Sequence, residues 1–217
     1  MFEFFLTDND GSYGLTAPGY IAVALAAVAL VVLVSCLGKT SKTIKAKQLA
    51  FSAMAIALAS VTSIIKVYSF PFGGSVTLLS MLFICLIGYW YGPKMGIMTG
   101  AAYGIIQLIL EPFILFPMQI LVDYLLAFGA LGLSGFFWKK KNGLVKGYIT
   151  GISGRYIFSV LSGWLFFGAY AWEGWNPLAY SLVYNGCYIF AEGLITVIII
   201  SIPSVSKALM QVKHQSS

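Results

Sequence analysis

Charged residues are scarce in this chain of 217 residues: they make up 9% of the composition, whereas apolar residues make up 59%. A soluble domain usually carries about 25% charged residues, which cover its surface. This chain has too few charges to coat a water-exposed surface, so much of its exterior must face lipid. The composition therefore indicates an all-α integral membrane protein in a lipid bilayer.

Metal-binding and catalytic residues are also few. The chain has three cysteines and one histidine, and the cysteines lie within apolar runs without a CxxC or Cys/His pattern. This pattern predicts small buried side chains, with no metal site and no disulfide framework. The sequence contains no P-loop, HExxH or GxSxG motif, and His214 lies in a basic C-terminal segment. We therefore expect neither an enzyme nor a bound cofactor.

Apolar runs long enough to cross a bilayer divide the chain. A hydrocarbon core about 30 Å thick is crossed by about 20 helical residues. Acidic residues rather than a basic segment precede the first run, which favours a retained helix over a signal peptide. Seven transmembrane helices are predicted, over residues 18–38, 47–68, 76–91, 95–111, 114–138, 147–170 and 177–203.

The lysines predict how these helices are oriented. With seven crossings, nearly all of them fall on one side, and Lys66 is the basic residue near the other. The positive-inside rule makes the lysine-rich side cytoplasmic. We therefore expect a multi-pass protein of the plasma membrane, with an extracellular N-terminus and a cytoplasmic C-terminus. The net charge of +6 is explained by these short loops, so no nucleic-acid partner is expected.

Small residues at four-residue spacing predict close helix packing. Gly96, Gly100 and Gly104 form a double GxxxG pattern, and this spacing places small side chains on one helix face. For the glycines we favour packing within the chain. The alanines of the second run, which repeat at the same spacing, fit either internal packing or docking to a partner membrane protein.

Three charged residues, Asp123, Arg155 and Glu192, lie well inside predicted spans. A charge near the bilayer centre costs about 2.5–3.5 kcal/mol, so each should face the bundle and find a partner. Arg155 and Glu192 fall at similar depth, which predicts a structural ion pair. Asp123 has no obvious cationic partner. Its carboxylate either accepts a hydrogen bond from a neighbouring hydroxyl or binds a cationic ligand that enters from outside.

Aromatic residues are dense at the outer ends of the sixth and seventh runs. Trp172 and Trp175 fit membrane-interface anchors, but Asn185 lies too deep for that role. Ring faces beside a buried carboxylate and amide suit a flat, positively charged heterocycle, since each stacking or cation–π contact contributes about 0.5–2 kcal/mol. The aromatic residues concerned are Trp164, Phe166, Phe167, Tyr170, Trp172, Trp175, Tyr180 and Tyr184.

Three separated segments resemble a known family: 70–77 (FPFGGSVT), 119–128 (QILVDYLLAF) and 168–186, where GAYAWEG leads to YSLVYNG. Together they resemble the thiamin-specific S component of energy-coupling-factor (ECF) transporters, over about 47–203. The resemblance implies a six-helix S-component core preceded by one extra N-terminal transmembrane helix. In this organisation 1–46 holds the extracellular N-terminus, the extra helix and a basic linker, and 204–217 forms a basic cytoplasmic tail.

The same resemblance implies a substrate-capture subunit of an ATP-driven vitamin importer. Such a subunit binds thiamin from the extracellular side and docks to a transmembrane scaffold subunit that carries two ATPase subunits. The gating loop would contain Phe70, Phe72, Gly73 and Gly74. The docking face would contain Ala53, Ala55, Ala57 and Ala59. The substrate-binding residues would be Asp123, Tyr124, Ser159, Gly163, Phe167, Tyr180 and Asn185.

One departure from the family pattern affects the expected ligand. Ser159 stands where relatives have histidine, and Phe116 also replaces a histidine found in some of them. A serine enlarges the pocket and removes a stacking group, so a thiamin precursor, an analogue or another small vitamin is the alternative ligand. Two further hypotheses for the function are a non-transporting structural subunit and a self-sufficient secondary transporter, and no inverted repeat supports the latter.

Overall fold

The computed structural model describes residues 6–9, 12–18, 21 and 45–216. The first predicted transmembrane helix, over 18–38, lies almost entirely outside the described residues. Before it, strands β1 (Leu6–Asn9) and β2 (Ser12–Leu15) pair in an antiparallel hairpin that was not predicted from the sequence.

Six helices correspond to the second to seventh predicted runs. Glycine and proline set several of their ends: Gly92 adopts a φ of 96° between α2 and α3, and Pro93, Pro117 and Pro177 each begin a helix, where proline's missing amide is not needed. The helices are α1 (Ala46–Ile64), α2 (Ser80–Tyr91), α3 (Pro93–Leu110), α4 (Pro117–Phe137), α5 (Gly143–Phe166) and α6 (Pro177–Ser201).

Not all of these helices meet the length and hydropathy of a membrane span. In the described part of the chain α1, α4 and α6 are long and apolar enough to cross a membrane, and α2 is apolar but has only 12 residues. The total of seven crossings therefore stays a prediction.

Two segments differ from their predicted conformation. The predicted gating loop belongs to a hairpin of strands β3 (Lys66–Ser69) and β4 (Ser75–Thr77), whose tip is a 3-10 turn over Pro71–Gly73. The basic tail is helix α7 (Pro203–Ser216), which packs back on the bundle. There the Tyr89 hydroxyl donates to the sulfur of Met210 at 3.3 Å.

Glycines bring α3 into backbone contact with α4. A Cβ atom at Gly100 would clash with the carbonyl oxygen of Phe128, and one at Gly104 would clash with that of Tyr124. The double GxxxG pattern therefore packs within the chain, as predicted, because only glycine allows the two backbones to lie so close.

The predicted alanine docking face is wrong as a single face. Ala55 and Ala59 are buried in the bundle, whereas Ala53 and Ala57 are exposed. Residues two apart on a helix are separated by about 200°, so the two alanine pairs lie on opposite sides of α1. Of the four, only Ala53 and Ala57 are available to a partner in this conformation.

Candidate functional site

A cavity of about 160 Å³ lies among α3, α4, α5, α6 and the 66–77 hairpin. The hairpin contributes Phe72, Gly73 and Gly74 to its wall, whereas Phe70 packs against two tyrosines of α6 instead. All seven predicted substrate-binding residues line this cavity: Asp123, Tyr124, Ser159, Gly163, Phe167, Tyr180 and Asn185.

Asp123 reaches the cavity from an irregular part of α4. Residues 120–126 form a π-helical segment, and such segments are often found at functional sites because they reorient side chains. The Gln119 side-chain amide donates to the Asp123 carboxylate at 3.1 Å. No basic nitrogen of the described residues lies within 4.0 Å of this carboxylate. A buried acid that accepts hydrogen bonds only from neutral side chains can still accept a cationic ligand.

Gln119 and Tyr124 hold the segment that precedes α4 against the cavity. Gln119 accepts from the Leu115 amide at 2.7 Å and donates to the Phe113 carbonyl at 2.9 Å. The Tyr124 hydroxyl accepts from the Phe113 amide at 2.9 Å and donates to the Glu111 carbonyl at 3.0 Å. The Tyr124 hydroxyl therefore makes both of these hydrogen bonds to the backbone, and the Tyr124 ring forms part of the cavity wall.

Helix α6 supplies the opposite wall. The Asn185 amide donates to the Ser181 carbonyl at 2.9 Å and accepts from the Tyr188 hydroxyl at 2.7 Å. A Cβ atom at position 163 would clash with the Ser181 hydroxyl, so Gly163 lets α5 approach α6 closely. Within the structure Asn185 shapes the wall, and a ligand would have to compete for its hydrogen bonds.

Aromatic rings form the part of the site next to the hairpin. Phe113 and Phe167 are nearly parallel, with ring centroids 5.9 Å apart, and Tyr180 stacks on Tyr184 at 5.5 Å. At the hairpin tip, the Phe72 ring lies 4.4 Å from Tyr170. These rings offer flat apolar surfaces near the Asp123 carboxylate, which is the combination that suits a planar cation.

The predicted ion pair between Arg155 and Glu192 is not formed. Both residues line the cavity, but the Arg155 guanidinium lies 4.3 Å from the centre of the Phe128 ring, and its Nε has no hydrogen-bond partner among the described residues. The prediction used only the similar depth of the two residues in the bundle, and depth alone does not determine which groups they contact. Each charge instead meets groups closer to it: an aromatic face for the arginine and hydrogen-bond donors for the glutamate.

Glu192 instead joins α6 to the base of the hairpin. Its carboxylate accepts from the Thr77 amide at 2.9 Å, the Thr77 hydroxyl at 2.6 Å and the Met81 amide at 3.2 Å. The Met81 amide belongs to the first turn of α2, where free amides and the helix dipole favour a negative charge. The carboxylate thus fixes the point at which the hairpin enters α2.

Replacing Glu192 with glutamine is expected to lower the free energy of unfolding by about 1–2 kcal/mol, because the amide group must face donors that a carboxylate satisfies. Thermal unfolding of the purified protein measures this loss. Glu173→Gln, which makes the same change in an exposed loop, should leave stability unchanged. Equal stability of the two variants would contradict the assigned role of Glu192.

A deeper polar part of the cavity was not predicted from the sequence. Gln107 and Tyr103 share one face of α3, and the Gln107 amide donates to the Tyr103 hydroxyl. Ser80 lies opposite, near Glu192. The sequence feature that could have predicted this part is a tyrosine and a glutamine four residues apart within an otherwise apolar run. This spacing places the two polar groups on the same face of a helix, and that face must be turned toward the bundle.

Comparisons with known proteins agree with this arrangement. The thiamine transporter ThiT of Bacillus subtilis is 36% identical over 146 residues, covering 61% of this chain and 76% of the relative. ThiT of Lacticaseibacillus paracasei is 31% identical over 121 residues, covering 48% of this chain and 60% of the relative. A solved structure of ThiT from Listeria monocytogenes superposes with a TM-score of 0.62 at 26% identity, covering 73% of this chain and 96% of that one.

A family model described as thiamine transporter protein (Thia_YuaJ) matches residues 49–212. The match includes α2 to α6 and all of α1 except its first three residues, and the structural likeness confirms the helical membrane fold predicted from composition. The resemblance to the thiamin-specific S component, drawn above from three segments, is likewise confirmed. The chain therefore belongs to the thiamine transporter protein family, a family of membrane transporters and not of enzymes.

Proposed function

We propose that this chain captures thiamin from the extracellular side for an ATP-driven vitamin importer. The observation that carries the proposal is the Asp123 carboxylate, which lines a cavity with aromatic walls and has no basic nitrogen within 4.0 Å among the described residues. The Arg155 guanidinium, which lines the same cavity, lies against the Phe128 ring. Thiamin joins a flat aminopyrimidine to a positively charged thiazolium ring. The charged ring would lie near Asp123 while aromatic faces cover both rings.

The remaining polar groups would orient the ligand. Asn185 and Tyr188 form a hydrogen-bonded pair at the cavity wall, and either can exchange that bond for one to the aminopyrimidine. Ser159 of α5 is buried and lines the same cavity, where a larger side chain would occupy more of the space. A few directed polar groups in an otherwise apolar pocket are enough to fix the orientation of a small ligand.

Delivery would depend on partner subunits, because the sequence carries no nucleotide-binding motif. We place the contact with a transmembrane scaffold subunit, which in turn carries two ATPase subunits, on the exposed side of α1. That side presents Ala53 and Ala57 beside large exposed apolar side chains such as Leu58 and Val61. Small residues there allow another helix to approach closely. In this proposal the N-terminus is extracellular and the C-terminus cytoplasmic.

A titration of the purified full-length chain without ATP tests the binding proposal. Thiamin is expected to change the tryptophan fluorescence saturably, because the Trp172 ring lies 5.2 Å from Tyr180 at the cavity. The same titration with thiamin pyrophosphate, the isolated aminopyrimidine and riboflavin compares ligand classes.

Saturation by thiamin at the lowest concentration supports the proposal. Tighter binding of another member of the panel assigns that ligand instead, as the smaller side chain of Ser159 allows. If no member of the panel gives a saturable fluorescence change, the chain does not capture a vitamin of these classes. The hypothesis of a structural subunit then gains support.

A further inference from the structure

Helix α6 contacts the 66–77 hairpin at three successive turns. Tyr184, Tyr188 and Glu192 are four residues apart, so they share one face of the helix. Tyr184 contacts the hairpin tip, the Tyr188 ring lies 6.4 Å from that of Phe70, and Glu192 binds Thr77 at the hairpin base. One helix face therefore contacts the hairpin at its tip, beside Phe70 and at its base.

The contact at the base is buried and charged. Glu192 is 2% exposed and accepts hydrogen bonds from both the backbone and the side chain of Thr77. Hydrogen bonds to an ionised group are roughly twice as strong as those between neutral groups. The first strand is tied at the same end of the hairpin by an ion pair in which Lys66 lies 2.8 Å from Glu111. The base is therefore the fixed end of the hairpin.

Between the tip and α6, the hydrogen bonds of the described residues are made by a single neutral hydroxyl group, beside the ring contacts of Phe70 and Phe72. The Tyr184 hydroxyl accepts from the Gly74 amide at 3.0 Å and donates to the Pro71 carbonyl. The tip is also closed on itself by a bond of 2.7 Å from the Phe70 amide to the Gly74 carbonyl. The tip can therefore move as one unit, and Tyr184 binds both sides of that unit.

We propose that Tyr184 is the latch of the hairpin: its hydroxyl holds the tip closed over the cavity, and the hairpin opens by pivoting on Glu192. The cavity wall contains Phe72, Gly73 and Gly74 of the tip, so release of the latch exposes the cavity from this side. Retention of a bound ligand by the latch rests on the proposed function, whereas closure of the empty cavity does not. Tyr184 therefore controls access to the cavity by holding the hairpin tip in position.

Access to the empty cavity tests the latch without any ligand. Ser159 lines the cavity and is buried, so a Ser159→Cys probe should react slowly with a small water-soluble thiosulfonate while the hairpin is closed and faster when the hairpin opens. The probe is placed in full-length protein carrying Cys36→Ser and Cys187→Ser, in which Cys85 remains fully buried. Tyr184→Phe is expected to speed the reaction about tenfold, equivalent to about 1.4 kcal/mol.

Two further variants make the result specific. Tyr156→Phe also removes one tyrosine hydroxyl, which donates to the Leu182 carbonyl at 3.0 Å away from the hairpin, and it should react at the parental rate. Gly74→Ala leaves Tyr184 intact, but its Cβ would meet the Tyr184 hydroxyl at 2.7 Å and push the tip away. It is expected to speed the reaction as Tyr184→Phe does. If Tyr184→Phe and Gly74→Ala both react at the parental rate, the latch is overturned.

Thiamin dissociation provides the second readout. In protein without the cysteine probe, Tyr184→Phe is expected to raise the dissociation rate about tenfold, whereas Tyr156→Phe should not change it. An unchanged rate in a variant whose cavity is more accessible would show that the latch does not retain this ligand. If the parent protein binds no thiamin, the proposed function fails, and the cysteine reaction still decides whether Tyr184 closes the hairpin.

Discussion

Replacing Asp123 with asparagine is expected to weaken thiamin binding at least about thirtyfold. Removing the charge of one partner of a buried pair costs about 2–5 kcal/mol, since the other charge is left without its counter-ion. Asparagine keeps the size of the side chain, and its carbonyl oxygen can still accept from Gln119, which donates to Asp123 at 3.1 Å. The measured loss would therefore report charge, and calorimetric titration of the purified variant measures it.

A neutral ligand separates charge from shape. In the thiophene analogue of thiamin, carbon replaces the charged ring nitrogen and the outline of the molecule is kept. Asp123→Asn should change the affinity for this analogue far less than the affinity for thiamin. Glu173→Gln, the same substitution in an exposed loop, should change neither affinity. Equal losses for the charged and the neutral ligand would contradict a direct charge contact with Asp123.

The positions of Asp123, Tyr180 and Asn185 around one cavity could be predicted from the sequence. Buried polar residues within apolar spans must face the bundle, and comparable depth brings those on neighbouring helices to the same level. The π-helical segment over 120–126 could not be predicted, because hydrophobic periodicity gives no signal for it; α3 packs against it closely at Tyr124. Asp123, which lines the cavity, lies in this segment.

Depth in the membrane was a poor guide to the partner of each charge. It suggested that Arg155 and Glu192 meet, yet Glu192 binds Thr77 and Arg155 lies against Phe128. Depth fixes one coordinate of a side chain, whereas its partner also depends on helix rotation. The donors of Thr77 became available only because 66–77 folds as a hairpin. The sequence had indicated helix up to residue 68 and again from residue 76, with a glycine-containing loop between them, so the predicted helix ends at 66–68 and 76–77 were wrong.

Four-residue spacing likewise identifies residues on a shared face without telling which face is buried. The glycines of α3 pack within the chain, whereas the alanines of α1 divide between a buried and an exposed side. A helix with apolar residues all around gives no amphipathic signal, since lipid and the protein interior are equally apolar.

Replacing Gly104 with alanine is expected to lower the free energy of unfolding by about 3 kcal/mol or more, at the upper end of the range for overpacking. The new methyl group would clash with the carbonyl oxygen of Tyr124, and backbone cannot rotate away as a side chain can. Helices α3 and α4 would have to separate next to Asp123. Thermal unfolding measures the loss, and thiamin affinity should fall with it because the π-helical segment shifts.

Gly129→Ala is the matched control for this substitution. Gly129 lies on α4 on the side that faces α3, but the atom nearest to its added Cβ, the Ile97 carbonyl oxygen, is 3.8 Å away, which is an ordinary contact. Alanine is favoured over glycine inside a helix by about 0.5–1 kcal/mol, so this variant should be as stable as the parent or more so. If Gly104→Ala were equally stable, the backbone contact between α3 and α4 would not be what limits residue size at position 104.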